Sequence, residues 1–330
     1  MEIAPPSAEY LHEPMNRRLW NESYYFDFTA DSIRGFMRLG YQPFERRANI
    51  WLYLVQNGAV YWQRKETIPI EQCHGHHVRT DTLEKSYRII DPHDTWTISA
   101  EGTCFVSDES WDVLVGIDES VPVELDLIFS DPHHDAYSID MLVDTQDHYD
   151  QTGHYAGQVT IDGTRFDVEG QGFRDHSWGW FRDWTPGEWG HYTGTLQFEN
   201  GDCVTLVAQV RPDGSVRNTF GYRADGERVD TIDSASVICD DGFERGERGR
   251  AWAEGDRPGR VTYAPDFGDG QTKIHCTPRH NLPIGYEDRN WALSDPDGPW
   301  LKGVLNRMPV DCEWDGVKGS GWIEATHPFN

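Results

Sequence analysis

Gln158-Val-Thr-Ile-Asp-Gly-Thr-Arg-Phe-Asp-Val168 is the stretch on which the fold turns: two short runs of alternating apolar and polar residues, joined by Asp162-Gly163. Period-two alternation marks a half-buried strand, and Asp-Gly supplies two residues that tolerate the positive φ angles of a tight hairpin. The same pattern stands upstream, where residues 50–55 and 59–63 flank Asn57-Gly58. Downstream, Asn200-Gly201, Asp213-Gly214 and Asp225-Gly226 link residues 192–198, 204–210 and 216–222 into a meander. Helical periodicity is confined to short stretches near residues 14–20 and 31–37. The chain therefore reads as all-β and antiparallel. Such meanders must hide their edge strands, either by closing a barrel or by stacking curved sheets. At 330 residues there is enough chain for two cores of ordinary size. We expect two barrel-like halves, residues 1–150 and 151–330, with no Pro-, Gly- or Ser-rich linker to mark the boundary.

Directly after the hairpin comes Gly170-Gln-Gly-Phe-Arg-Asp-His-Ser-Trp-Gly-Trp-Phe-Arg182, which packs two arginines, an acid, an imidazole and two indoles into thirteen positions. Glycines at 170, 172 and 179 permit backbone conformations denied to other residues, so the segment reads as a bent strand carrying a site. Gly170 to Gly179 resembles the Gly-x-Gly-x-Arg-Asp-His-Ser-Trp-Gly signature of proteins similar to hydroxyneurosporene synthase (carotenoid 1,2-hydratase). The lead-in from Tyr149 to Gly163 also looks like that family's approach strand. The resemblance implies two lipocalin-like halves, the second carrying the signature at its start, and an isoprenoid-like or other greasy ligand. It narrows the ligand more than the reaction, because one fold hosts many chemistries.

Composition excludes several partners. A formal net charge of −27 repels polyanions, so nucleic acid and anionic membrane surfaces are poor partners. Acidic residues recur between positions 89 and 164, where no lysine or arginine occurs, and the whole chain has only five lysines. Such a surface suits a salt-rich cytoplasm; codon usage that favours Arg and Asp is the competing explanation. No basic N-terminal region precedes an apolar run, and no stretch approaches the roughly 20 apolar residues that span a bilayer. A soluble, cytoplasmic protein is expected. The six cysteines show neither CxxC pairing nor short regular spacing, so free buried thiols are expected rather than a zinc knuckle or a disulfide scaffold. No phosphate-binding loop, dinucleotide fingerprint or Gly-x-Ser-x-Gly elbow occurs, and the chemistry is expected to need no cofactor.

The candidate catalytic pair is Asp175 and His176. On an extended strand Arg174, His176 and Trp178 face one side, and Phe173, Asp175 and Ser177 the other, so a bend must bring both sets to one pocket. A carboxyl group in an apolar cavity stays protonated and can donate its proton to an alkene. The resulting carbocation would be stabilised by aromatic faces, which Trp178, Trp180, Trp184, Trp189, Tyr192 and Tyr155 offer. Arg174 or Arg182 would fix geometry or hold a polar end of the ligand. Alternatively, an arginine pairs with Asp175 and lowers its pKa, while His176 and Ser177 satisfy backbone groups and the tryptophans fill a core. A second cluster, Cys73-His-Gly-His-His77, would place His74 and His76 on one face, either as two nitrogens for a metal or as pocket lining. Three function classes follow: a cofactor-independent hydratase, cyclase or isomerase acting on an isoprenoid- or polyketide-like molecule, a carrier that binds such a molecule unchanged, and a structural or partner-binding protein that uses its acidic face.

Overall fold

The computed structural model describes residues 1–18, 20–63, 67–110, 112–115, 117–131, 134–139, 146–180, 190–211, 213–240, 258–284 and 303–328. The chain forms two compact units: residues 1–107 with 118–183, and residues 108–117 with 184–330. The change from one unit to the other thus falls after residue 183, not near 150 as expected. The reason is the hairpin at Asp162-Gly163: its two strands run from Gln146 to Trp180 and bridge residues 120–130 on one side and 20–30 on the other, so a cut at 150 would split them.

The first unit contains β1 (Trp20–Ala30), β2 (Arg34–Gln42), β3 (Arg47–Gln56), β4 (Ala59–Gln63), β5 (Thr67–Pro69), β6 (Cys73–His74), β7 (His77–Arg79), β8 (Leu83–Asp91), β9 (Thr95–Ser107), β10 (Ser120–Ser130), β11 (Tyr137–Ser138), β12 (Gln146–Ile161) and β13 (Thr164–Trp180). Eight of them, in the order β10-β12-β13-β1-β2-β3-β4-β9, close on themselves through β9–β10 pairing, giving an antiparallel barrel without a free edge. Asn57, Gly58, Asp162 and Gly163 all have φ between 47° and 90°, the primed turns that both dipeptides promised. Residues 31–37, read as weakly helical, instead form a bend and the start of β2. Alternate residues of the ring fill the barrel, including Phe26, Phe28, Leu52, Trp96, Leu125 and Phe129.

The second unit holds β14 (Gly190–Phe198), β15 (Cys203–Val210), β16 (Val216–Ala224), β17 (Val229–Thr231), β18 (Ser234–Cys239), β19 (Val261–Asp266), β20 (Ile274–Pro278), β21 (Leu282–Ile284), β22 (Gly303–Trp314) and β23 (Val317–Pro328). They form a curled antiparallel sheet, ordered β17-β16-β15-β14-β23-β22-β20-β19-β18, around its own core of Tyr192, Leu206, Tyr263, Met308 and Ile323. Helix among the described residues is limited to single turns at Pro6–Glu9, Ile70–Gln72 and Asp112–Val115. All six cysteines are free thiols, five of them buried.

Candidate active site

β13 runs against β1 without a register shift, from Trp20 opposite Trp180 to Ala30 opposite Gly170. No bend turns both faces of the signature inward, and the glycines have a different purpose. A Cβ on Gly170 would meet the Thr29 carbonyl at 2.1 Å, and one on Gly172 the Asp27 carbonyl at 2.1 Å and the Tyr155 ring at 2.3 Å. They permit close approach of two strands; only Gly179, with φ 133°, needs glycine for its backbone.

Strict alternation therefore decides which residues meet. Phe26, Tyr24 and Glu22 of β1 lie opposite Arg174, His176 and Trp178 of β13. On the other side of β13, Gln151, Tyr149 and Asp147 of β12 complete three adjacent rows on the same face. The N-terminal segment crosses this patch and adds Ala8, Glu9 and His12. The Tyr24 ring stacks on His176 at 3.9 Å, and His12 stacks on Trp178 at 3.9 Å.

Two carboxylates in the patch have opposite fates. Glu9 is fully buried, and burial alone would raise its pKa. Arg174 at 3.0 Å, Tyr149 Oη at 2.6 Å and His93 at 3.0 Å, joined by the Trp96 indole N–H, overrule this and hold it down at about 2. Arg174 also donates to Tyr149 Oη and to Gln151 Oε1. Glu9 and Arg174 are thus an ion pair at neutral pH.

Glu22 has no such cation. It is 1 % exposed, and burial pushes its carboxyl up to about 8, only partly opposed by the His12 backbone N–H, which donates to both oxygens at 3.0 and 3.2 Å. His176 Nδ1 lies 2.7 Å from the Ala8 carbonyl, which can only accept, so Nδ1 carries a proton and Nε2 faces Glu22 Oε1 at 3.0 Å. One proton must occupy that contact. Burial drives the imidazole well below its usual range and the carboxyl well above, and both effects leave the proton on Glu22. His12 Nδ1 is 2.9 Å from the same oxygen and its side chain is 28 % exposed, so it connects the buried pair to the outside. His12 Nδ1, a Glu22 oxygen and His176 Nε2 lie within 4.8 Å of one another, a donor set that suits a divalent transition metal. An ion there would displace the shared proton.

Of the residues expected from sequence, Arg174, His176 and Trp178 share this face. Asp175 points to the other side, opposite Asp150 in the ladder and partly exposed. Burial first, and the Asp175 charge among lesser causes, raise the Asp150 pKa, against the opposing contact from His148 Nε2 at 2.7 Å. Tyr155 is an inward core residue whose hydroxyl donates to the Phe173 carbonyl at 3.3 Å, and Tyr192 lies in the core of the second unit. Arg182, Trp184 and Trp189 lie outside the described residues, as does the Trp180 side chain. His74 and His76 do not share a face, because Gly75, at φ 59°, turns the chain between them. His74 is exposed, whereas His76 packs edge-on against Tyr24 at 4.6 Å and burial lowers its pKa to about 4. Sequence reasoning missed Glu22, Glu9 and His12. Glu22 did leave a trace, a charged residue in step with Trp20, Tyr24, Phe26 and Phe28 on an otherwise apolar face; the other two sit in a segment without periodicity.

Comparison with known proteins agrees on the fold. A Nitrosomonas europaea protein given the name AttH superposes with a TM-score of 0.60 at 12 % identity, over 93 % of this chain and 92 % of that one. Kievitone hydratase from Nectria haematococca gives 0.52 at 10 % identity, over 99 % and 94 %. CghA with Sch210972 gives 0.51 at 11 % identity, over 94 % and 89 %. No curated protein sequence matches the chain. A family model does match, over residues 5–329, and by it the chain belongs to the family described as a domain of unknown function, DUF7064.

Proposed function

We propose that the protein is a hydratase- or cyclase-type enzyme acting on an apolar small molecule, with Glu22 as its proton donor. The observation that carries this reading is the contact between Glu22 and His176, whose tautomer is set by the Ala8 carbonyl. With a carboxyl of pKa about 8, roughly nine-tenths of the molecules hold the proton at pH 7, poised near the operating pH as a general acid should be. His12 exchanges that proton with the substrate side, and the partly exposed Trp178, on which His12 stacks, offers π density to a developing cation. In a hydration, one alkene carbon takes the proton, water adds to the other, and the surplus proton of the water returns to the site, so the catalyst ends as it began. A solved protein of this fold is named kievitone hydratase, and the Arg-Asp-His-Ser-Trp signature resembles that of carotenoid hydratases; both support water addition, and the latter an isoprenoid-like substrate. Asp175 and Asp150 stand apart from this chemistry.

The test is to identify small molecules that co-purify with the protein by untargeted mass spectrometry and to incubate them with it in ¹⁸O-labelled water. Incorporation of ¹⁸O by wild type, lost in Glu22→Gln with binding retained, is the expected result. Unchanged incorporation by Glu22→Gln would refute the role of Glu22, and binding without any conversion by wild type would make the protein a carrier.

A further inference from the structure

The patch around Glu22 brings together ligand atoms from three separate stretches of chain: His12 from the N-terminal segment, Glu22 from β1 and His176 from β13. Glu22 and His176 are diagonal neighbours on one face, because Trp178 stands opposite Glu22 and Tyr24 opposite His176. His12 lies against the same face, stacked on Trp178. A single oxygen, Glu22 Oε1, is 2.9 Å from His12 Nδ1 and 3.0 Å from His176 Nε2, and no two of the three atoms are more than 4.8 Å apart. A tetrahedral ion with bonds of about 2.0–2.2 Å to nitrogen and oxygen sets its ligand atoms roughly 3.3–3.5 Å apart. The observed triangle reaches that geometry with small rotations of the His12 and Glu22 side chains. No other trio of His, Cys, Asp or Glu among the described residues offers its ligand atoms in this way.

The surroundings prepare the same atoms. The Ala8 carbonyl accepts from His176 Nδ1 at 2.7 Å and leaves Nε2 as the lone-pair nitrogen, the outer hydrogen bond that metal-bound imidazoles commonly make. The His12 backbone N–H donates to both Glu22 oxygens, so the carboxylate stays anchored when one of them turns to an ion. Asp147, whose charge acts on His12, adds a second anion beside Glu22 to balance a divalent cation. Two nitrogens and one oxygen suit zinc, cobalt or nickel, whereas magnesium and calcium take oxygen ligands.

We propose that His12 Nδ1, one Glu22 oxygen and His176 Nε2 form a binding site for a divalent transition metal ion of the zinc class. The ion enters past His12, whose side chain is 28 % exposed, and the Glu22 proton leaves to solvent as it binds. Three protein ligands leave a tetrahedral ion one further position, for water or an oxygen of a small molecule. Proton and ion exclude each other at Glu22, so zinc inhibits any reaction in which Glu22 is the acid. Only that inhibition rests on the function proposed above; the binding does not.

The test uses protein stripped with EDTA and dialysed, titrated with zinc sulfate at pH 7.5 in a calorimeter, with magnesium chloride as the control. The expected result is a strongest site filled by one equivalent of zinc and not by magnesium, at least tenfold weaker in His12→Gln. In the wild-type protein that equivalent should also reduce diethyl pyrocarbonate labelling of His12 at least tenfold, mapped by mass spectrometry, while the exposed His74 stays reactive. No saturable zinc binding, or zinc binding that leaves His12 as reactive as before, would overturn the proposal without recourse to any variant. Neither readout uses a substrate, so a failure here is distinguishable from a failure of Glu22 as the acid.

Discussion

Replacing Glu22 by glutamine gives the sharpest test of the candidate site, because it changes stability in a pH-dependent way that no general loss of packing reproduces. The Glu22 carboxyl titrates at about 8 in the folded protein against 4.5 for the free group. Below pH 4.5 both states hold the proton, and the group costs the fold nothing. As the pH rises, the unfolded chain releases its proton first, and stability falls until the folded carboxyl also ionises near pH 8. Over that interval of about 3.5 pH units, at about 1.4 kcal/mol each, wild type loses up to about 5 kcal/mol that Glu22→Gln does not. The amide occupies the same volume and can donate to His176 Nε2 as the acid does. The assay is urea unfolding of both proteins between pH 5 and 9, comparing midpoints. The two should differ by only about 1 kcal/mol at pH 5, and the variant should gain several kcal/mol more over wild type by pH 9, while turnover of any identified substrate falls at least a hundredfold. Parallel pH profiles would refute the argument, for they would mean that Glu22 is ionised in the fold at neutral pH.

Arg174→Met removes the guanidinium that balances the buried Glu9 charge, leaving it only its contacts with Tyr149, Trp96 and His93, and should cost about 3–5 kcal/mol in chemical denaturation, most of it recovered when Glu9→Gln is added. Glu9 titrates at about 2 in the fold, so the stability it confers is present above pH 4.5 and is lost as the pH falls towards 2; acid unfolding curves of wild type and the double variant will show the difference. Asp175→Asn should leave turnover within about threefold of wild type, a change under roughly 1 kcal/mol, since the side chain faces away from His176. Gly172→Ala should destabilise by about 3 kcal/mol or more, because its methyl would stand 2.1 Å from a backbone oxygen that pairing holds in place; thermal unfolding checks this. If the net charge of −27 reflects life at high salt, the unfolding midpoint should climb steadily with potassium chloride, and a flat response would leave codon usage as the explanation.

Much of the architecture could be read without coordinates because Asn57-Gly58 and Asp162-Gly163 admit few alternatives, and because alternation told which of Arg174, Asp175 and His176 share a face. The acid was harder to find. Glu22 meets His176 only through the register of strands some 150 residues apart, and nothing local to either segment encodes that pairing. Reading the glycines of the signature as a bend placed Asp175 in the pocket, whereas Gly170 and Gly172 serve strand contact and leave β13 in unbroken register with β1. The boundary was misplaced for a similar reason: β12 and β13 are ordinary strands by composition, and only their ladders to β10 and β1 assign them to the first barrel. Ala8, Glu9 and His12 belong to a segment whose role lies wholly in tertiary contacts.

The separation of 165 residues between Glu9 and Arg174 bears on how the protein is made. On the ribosome residues 8–22 emerge long before the strand that receives them, and Glu9 and Glu22, both destined for burial, must wait in water until some 150 further residues have followed. Ring closure is then the event that orders the chemistry, a non-local step of the slow kind. A fragment ended at residue 160 would lack not a peripheral hairpin but the counter-charge of its own interior.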